Sequence, residues 1–317
     1  MIYESRRFQT GIAKQVITPW PVFIIGHWRS GTTYLQNLLS EDRQFGRVSL
    51  LQAAMPHEFL TLPAIARDIL NRILPDRRIM DNVRISLDMP WEEEMAIVSY
   101  CPYSFYHVSF FPQNIESIFR RTVLFKGVKS REIESWKGCY LHFLKKVQYT
   151  QPGKRLLLKN PANTARLGLL RQLFPGAKFI FLHRHPCEVY ASTMNLYTKV
   201  QSAWGLQTLD RERLSRYVIW SYRELMNAYF LQRRDLDRKD LIEVSYHDLV
   251  SNPLTTVKDI YEQLELETFE TAESDFIYFI RQQKNYVKNE LGITGPEKSA
   301  VFRGWKNTFI RYGYSAC

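Results

Sequence analysis

Residues 26–34 read GHWRSGTTY, with Gly26 and Gly31 enclosing Arg29 and Ser30 and with Thr32 and Thr33 following. Between a strand and a helix, small residues let successive backbone N–H groups point at one spot, and the helix N-terminus adds about half a positive charge there. The natural guest of such a loop is an anion. Nucleoside triphosphatases with G-x-x-x-x-G-K-S/T put a lysine on the β and γ phosphates and a hydroxyl on magnesium. Here the glycine spacing is kept, but Thr32-Thr33 stands where Lys-Ser/Thr would be and the basic residue, Arg29, lies inside the loop. That departure argues against a kinase or ATPase; the bland alternative is a glycine turn that holds nothing. A second group able to do chemistry is Glu92-Glu93-Glu94 in LDMPWEEEMAI (87–97). A tuned carboxylate contributes roughly 10²–10⁴ in rate as a general base, although acidic residues after Pro90, with Asp88 as cap, equally suit the first turn of a helix.

These residues need elements to hold them. PVFIIG (21–26) is a short continuous apolar run ending at glycine, the pattern of a strand buried on both faces of a parallel sheet. Ser30 can cap the following helix, in which Tyr34, Leu35, Leu38 and Leu39 recur at helical spacing. KRLLLKNP (154–161) and AKFIFLHR (177–184) repeat the strand pattern. The first is followed by a helix carrying Leu167, Leu170 and Leu173 that ends at Pro175-Gly176. The second is followed by Pro186 at a helix start. A helical region over about 208–233 leads to LIEVSYHDL (241–249), read as a strand, and then to a proline-initiated helix from Asn252-Pro253. Strands alternating with helices predict an α/β fold, a P-loop-like parallel sheet flanked by helices on both faces. The expected organisation is a single domain over 1–317, with an aromatic-rich, substrate-facing insertion at about 45–150.

At 317 residues, 45% hydrophobic and 24% charged, the chain has ordinary globular composition. Its net charge of +11 suits an anionic ligand or surface. Lys and Arg are dispersed rather than gathered into a patch with aromatics, so nucleic acid is not expected as a partner. The longest apolar runs fall far short of the roughly 20 residues that span a bilayer, and MIYESRRFQTG lacks a secretory segment, so the expected location is cytoplasmic. Cys101, Cys139, Cys187 and Cys317 are scattered, with no C-x-x-C pair, and are expected to be inert thiols.

RSGTTY (29–34) resembles the P-K-S-G-T-T-W loop by which sulfotransferases hold the 5′-phosphosulfate of 3′-phosphoadenosine-5′-phosphosulfate (PAPS), with arginine for lysine as in bacterial members. FLHRHPCEVYAS (181–192) resembles the family's second signature, an arginine at a strand end and a serine eight residues on. Together these would clamp the 3′-phosphate through Arg184 and Ser192 by charge-assisted bonds. VSYHDLVSNP (244–253) resembles Y-E-D-x-x-x-x-P and places Tyr246 near the adenine. FRGWKNTF (302–309) resembles the C-terminal R-x-G-x-x-K region and places Arg303 and Gly304 at the 3′-phosphate. Tyr34 stands at the position of an adenine-contacting tryptophan. The resemblance thus implies a cofactor site of Arg29, Ser30, Gly31, Thr32, Thr33, Tyr34, Arg184, Ser192, Tyr246, Arg303 and Gly304, with 3′,5′-adenosine bisphosphate as product and no metal.

Sulfuryl transfer, like phosphoryl transfer, passes through a loose transition state with charge building on the leaving oxygen. Positioned cations there are worth on the order of 10²–10³ each in rate. Arg29 is one candidate; Lys159 is the other, in LLLKNP, where the family places a lysine near the transferred group. The histidine that cytosolic animal enzymes carry two residues after this lysine is Pro161 here, and the bacterial K-x-P-x-H ends in Asn163. Something other than a histidine of this segment must then take the acceptor's proton, and the carboxylate cluster is the best candidate. Glu92 and Glu94 match the bacterial P-x-E-x-E, with Glu93 between them and His107 in reserve; His27 and His183 adjoin the cofactor motifs.

For the acceptor, YCPYSFYHVSFFPQ (100–113) is crowded with Phe and Tyr and reads as core or as the wall of an apolar pocket. HEFLTLPAIARDILNRILPDRRIM (57–80) has the pattern of an amphipathic helix that lies on a membrane or covers a pocket. Together they point to a small-molecule hydroxyl acceptor, an apolar alcohol such as a steroid or lipid, with peripheral membrane contact. Carbohydrate or tyrosine sulfation, a P-loop kinase, and an anion- or membrane-binding protein are the alternatives.

Overall fold

Val22–Ile25 (β1) is at most 1% exposed at every residue because it is the middle strand of a five-stranded sheet, ordered β2-β3-β1-β4-β5 and parallel throughout. The computed structural model describes residues 2–78, 83–283 and 291–317. In chain order, α1 (Ile2–Ala13) precedes β1 and α2 (Thr32–Leu39) follows it. Then come β2 (Phe45–Arg47), α3 (Leu50–Ala54), α4 (Ala64–Ile73), α5 (Glu94–Tyr100), α6 (Ile115–Thr122) and α7 (Ser130–Thr150). The chain returns to the sheet as β3 (Arg155–Lys159), then runs through α8 (Leu167–Leu173), β4 (Lys178–His183), α9 (Pro186–Trp204) and α10 (Arg211–Gln232). Last are β5 (Leu241–Ser245), α11 (Tyr246–Ser251), α12 (Pro253–Leu264), α13 (Phe269–Gln282) and α14 (Gly295–Tyr312).

The period of two along β1 sends its side chains to two separate apolar layers. Val22 and Ile24 join Leu35, Leu38, Val257, Ile260 and Phe276 of α2, α12 and α13. Phe23 and Ile25 join Phe143 and Leu144 of α7, Val189 of α9, Leu225 of α10 and Trp305 of α14 on the other face. The register Ile24↔Lys159 and Ile25↔Phe181 brings the carboxyl ends of β1, β3 and β4 level, so the segments that follow them open on one edge of the sheet. In an open parallel sheet that edge is where ligands bind.

The expected α/β architecture stands, with several local corrections. Ser30 does not cap α2; the cap is Gly31 in the left-handed region (φ 96) with no side-chain bond. Asp88 is no cap either, because α5 begins only at Glu94 and Asp88 is bonded to Arg67. The strand read over 241–249 stops at Ser245, whose side chain caps α11 by accepting from the Asp248 N–H, so Tyr246 opens a helix. Residues 45–47, expected to begin the insertion, form the edge strand β2 beside β3; three residues are too few to show a period. The four cysteines are not all free: Cys187 and Cys317 form a disulfide with Cα atoms 6.0 Å apart, while Cys101 and Cys139 remain thiols. Spacing could not reveal a pair separated by 130 residues. Among the described residues no helix is long and apolar enough to cross a membrane.

Candidate active site

The loop after β1 and the start of α9 meet. Arg29, itself left-handed at φ 71, donates from Nε to Ser192 Oγ (2.9 Å), and its carbonyl accepts from Arg184 Nη1 (3.1 Å). Backbone in this region is held only where its surroundings over-determine it, and here the two bonds do so. Arg184 also pairs with Glu188 and lies over the Tyr246 ring, 4.4 Å from its centroid. That same ring closes on Gly31, where an added Cβ would collide with it. A Cβ at Gly26 (φ 138) would run into the Leu182 carbonyl. Both glycines are therefore required, the first by the sheet and the second by Tyr246. Tyr34 neighbours Tyr246, and its hydroxyl is raised above the ordinary tyrosine range by burial and by that neighbour. Ser30 and Thr32 are buried, Thr33 is half-buried, and the first-turn N–H groups of α2 have no intrahelical acceptor. Two guanidinium groups, a hydroxyl and a helix N-terminus are thus brought together beside two tyrosines.

Arg303 and Gly304 are not joined to this group by any hydrogen bond, ion pair or ring contact among the described residues. Arg303 is exposed on α14, and Gly304 faces Ile219 of α10, where a Cβ would press on the isoleucine side chain. The small residue is explained by helix packing.

The second cluster lies at the end of β3. Lys159 Nζ pairs with Glu92 Oε1, with only 4% of the lysine side chain and 15% of the glutamate exposed, and Tyr106 donates its hydroxyl to Glu92 Oε2 (3.0 Å). Tyr106 is held far above the ordinary tyrosine range by burial and by Glu92, so it stays a donor. Glu94 has a different place. Arg166 (2.9 Å), Asn160 (2.8 Å) and the Phe105 N–H (2.8 Å) saturate its carboxylate, which is 1% exposed. Burial pushes that carboxyl up, but Arg166 and the donors outweigh it and hold it below its ordinary range. Glu94 is thus a buried, fully hydrogen-bonded partner of Arg166, an arrangement that favours a structural role over that of the base expected from sequence.

Glu93 is wholly buried without a cation. Tyr140 Oη (2.8 Å) and Asn163 Nδ2 (2.9 Å) donate to Oε1, and burial pushes its carboxyl up to about 7. The native state then keeps this proton up to about pH 7, whereas an unfolded glutamate releases it near 4.5. Stability should therefore fall by roughly 3 kcal/mol as pH rises between those values. Urea unfolding from pH 5 to 8 should show the Glu93→Gln protein lacking that decline; identical slopes in the two proteins would assign it elsewhere.

The three histidines singled out from the sequence each have partners within the protein. His27 donates from Nδ1 to the Trp28 carbonyl (2.7 Å), packs on Tyr222, and is brought down to about 4 by burial. His183 stacks on Tyr312 (3.8 Å), bonds Tyr314 and is likewise brought down to about 4 by burial. His107 bonds the Ser104 carbonyl at 2.9 Å.

No sequence motif assigns a role to Asn160, Asn163, Thr164 or Arg166. Thr164 Oγ1 accepts from the Gly26 N–H (2.8 Å) and donates to the Gly26 carbonyl (3.0 Å), tying the β3 turn to the anion loop. The signal was there in KNPANTAR, a polar run directly after a buried strand, where every side chain needs a partner. The 100–113 stretch divides: Phe105 and Val108 are core, with Phe105 against Trp28 (4.8 Å), whereas Phe110 and Phe111 are exposed. A surface cleft of about 1170 Å³ lined by Phe230, Arg233, Glu243 and Arg311 includes none of the loop residues.

The Sulfotransferase family pattern matches residues 21–271. The omega-hydroxy-beta-dihydromenaquinone-9 sulfotransferases Stf3 of Mycobacterium bovis and Mycobacterium tuberculosis are each 31% identical over 313 residues, covering 99% of this chain and 80% of theirs. In fold it is similar to sulfotransferase STF9 from Mycobacterium avium (TM-score 0.75, 20% identity, 97% of this chain and 80% of that one). It is similar also to sulfotransferase STF1 from Mycobacterium tuberculosis (TM-score 0.72, 18% identity, 96% and 81%). The anion loop, the clamp that meets it and these likenesses lead to one conclusion: the chain belongs to the sulfotransferase family.

Proposed function

We propose that this sulfotransferase takes its sulfuryl group from PAPS and passes it to the hydroxyl of a lipid alcohol, with Glu92 as general base. The observation that carries the reading is the contact between two sequence-distant motifs, Arg29 with Ser192 and Arg184 with the Arg29 carbonyl, which makes one crevice of them. The donor set fits a nucleotide with two anionic ends. The Gly31–Thr33 turn and Arg29 would hold the phosphosulfate, Arg184 and Ser192 the 3′-phosphate, and Tyr34 and Tyr246 the adenine, with the absence of a side chain at Gly31 letting the Tyr246 ring close on the turn.

PAPS supplies an activated sulfuryl group when bound. Glu92 accepts the acceptor's hydroxyl proton as the oxygen attacks, while Lys159 and Arg29 offset charge on the departing oxygen. Tyr106 and Lys159 hold the base carboxylate from either side. Glu94, locked by Arg166, fixes the turn from Asn160 to Arg166 instead. A lipid alcohol is favoured by the aromatic surroundings and by the relative that acts on omega-hydroxy-beta-dihydromenaquinone-9. Incubation with sulfur-labelled PAPS and a panel of alcohols should label long-chain or quinone-derived lipid alcohols; labelling confined to sugars or tyrosine peptides would refute that acceptor class.

A further inference from the structure

Helix α4 leaves a stripe of isoleucines in water. Surface helices bury the apolar stripe and leave charge in water. Here no residue of α4 is buried, and Ile65, Ile69 and Ile73, one stripe at i, i+4 and i+8, are 72%, 54% and 70% exposed. The side roughly opposite the stripe makes the tie to the body, through Arg67 to both oxygens of Asp88 (2.5 and 2.6 Å). Ile79 and Met80, which end the amphipathic stretch in sequence, lie outside the described residues.

Single exposed apolar residues are ordinary; a continuous isoleucine stripe on a helix whose less exposed side carries Ala66, Arg67 and Leu70 marks a surface that another phase or molecule covers. Basic residues border it. Arg72 adjoins the isoleucines, and Arg77 and Arg84, which are bridged to each other and exposed, follow within the next turns of chain. The whole chain carries +11. This surface also adjoins the catalytic segment: Asp88 is four residues before Glu92, and the guanidinium of Arg78 lies 5.6 Å from the ring of Trp91, the residue before Glu92.

We infer that α4 docks the protein onto an anionic lipid bilayer, its isoleucines entering the acyl boundary and its arginines meeting the headgroups, so that an acceptor hydroxyl reaches Glu92 from the membrane. Insertion depth and charge of this kind characterise interfacial helices. The inference rests on the lipid-alcohol reading above for its purpose, but not for its measurement, which needs no acceptor.

The test is flotation of the full chain with phosphatidylcholine vesicles, with and without phosphatidylglycerol, comparing it with an Ile65→Ser, Ile69→Ser, Ile73→Ser variant. The unaltered protein should bind the anionic vesicles at least about tenfold more tightly than the variant, by the apolar area lost, and should release in high salt. The variant should keep its thermal shift with 3′,5′-adenosine bisphosphate and its transfer to a short, water-soluble alcohol. If the triple variant melts early, Ile69→Ser alone, expected to lose about threefold, decides. Vesicle binding that is absent, or equal in both proteins, overturns the inference. So does a dimer that the substitutions dissolve, because α4 would then cover a second copy. Failure here with lipid alcohols still labelled would leave the acceptor assignment standing; success with only sugars labelled would do the reverse.

Discussion

Glu92→Gln should lower kcat by about 10²–10⁴ while changing the affinity for 3′,5′-adenosine bisphosphate by less than about threefold. The size follows from what the carboxylate does: it is the one acidic group of the 92–94 run that keeps partial access to solvent while paired with Lys159 and Tyr106. Glutamine preserves the shape and can still contact Lys159 and Tyr106, but it takes no proton. The two neighbours make internal controls. Glu94→Gln would leave Arg166 buried with half its partner, a change that costs stability first, so its loss should appear in the melting temperature. Glu93→Gln should leave turnover nearly intact. Steady-state kinetics with calorimetric titration of the three proteins separates these outcomes, and a Glu92→Gln enzyme within fivefold of the parent would remove Glu92 as the base.

Arg184→Ala should weaken binding of 3′,5′-adenosine bisphosphate by roughly 100-fold, about 2.7 kcal/mol, within the range for losing charge-assisted bonds to a phosphate. Affinity for adenosine 5′-monophosphate, which lacks the 3′-phosphate, should move less than about threefold. Because Arg184 also bonds the Arg29 carbonyl, a merely structural role would weaken both ligands alike; the ratio between them is the readout. Lysine at 184 should restore only part of the loss, since it lacks the fork that spans Arg29, Glu188 and a phosphate at once. Arg303→Ala, exposed on α14 and without contact to the cluster, should change either affinity little.

Four of the five strands were legible because they are largely apolar runs ending in glycine or in polar residues, a pattern that burial on both faces imposes; β2, three residues long, was not. The meeting of the loop after β1 with the start of α9 involves residues the sequence singled out, for a related reason. Gly26, Arg29 and Gly31 all take positive φ in the turn that ends β1, and Arg184 and Ser192 flank one strand-to-helix junction, local requirements written in nearby residues even though the groups that crowd the glycines, Leu182 and Tyr246, are distant. What stayed hidden depends on distance along the chain. The division of labour among Glu92, Glu93 and Glu94 is decided by Lys159, Tyr140 with Asn163, and Arg166, residues 47 to 72 positions away. Three identical side chains in a row carry no mark of that. The Cys187–Cys317 pair and the packing of Gly304 on Ile219 are of the same kind. The outward-facing stripe of α4 had the right period, but period alone does not say which side faces the protein.

The central claim is that the loop after β1 and the clamp at the start of α9 grip the two anionic ends of one nucleotide. Calorimetric titration of the unaltered protein with 3′,5′-adenosine bisphosphate and with adenosine 5′-monophosphate tests it most directly. The account predicts one site per chain and at least about 100-fold tighter binding of the bisphosphate, weakening as salt is raised. Equal affinities for the two nucleotides would contradict it.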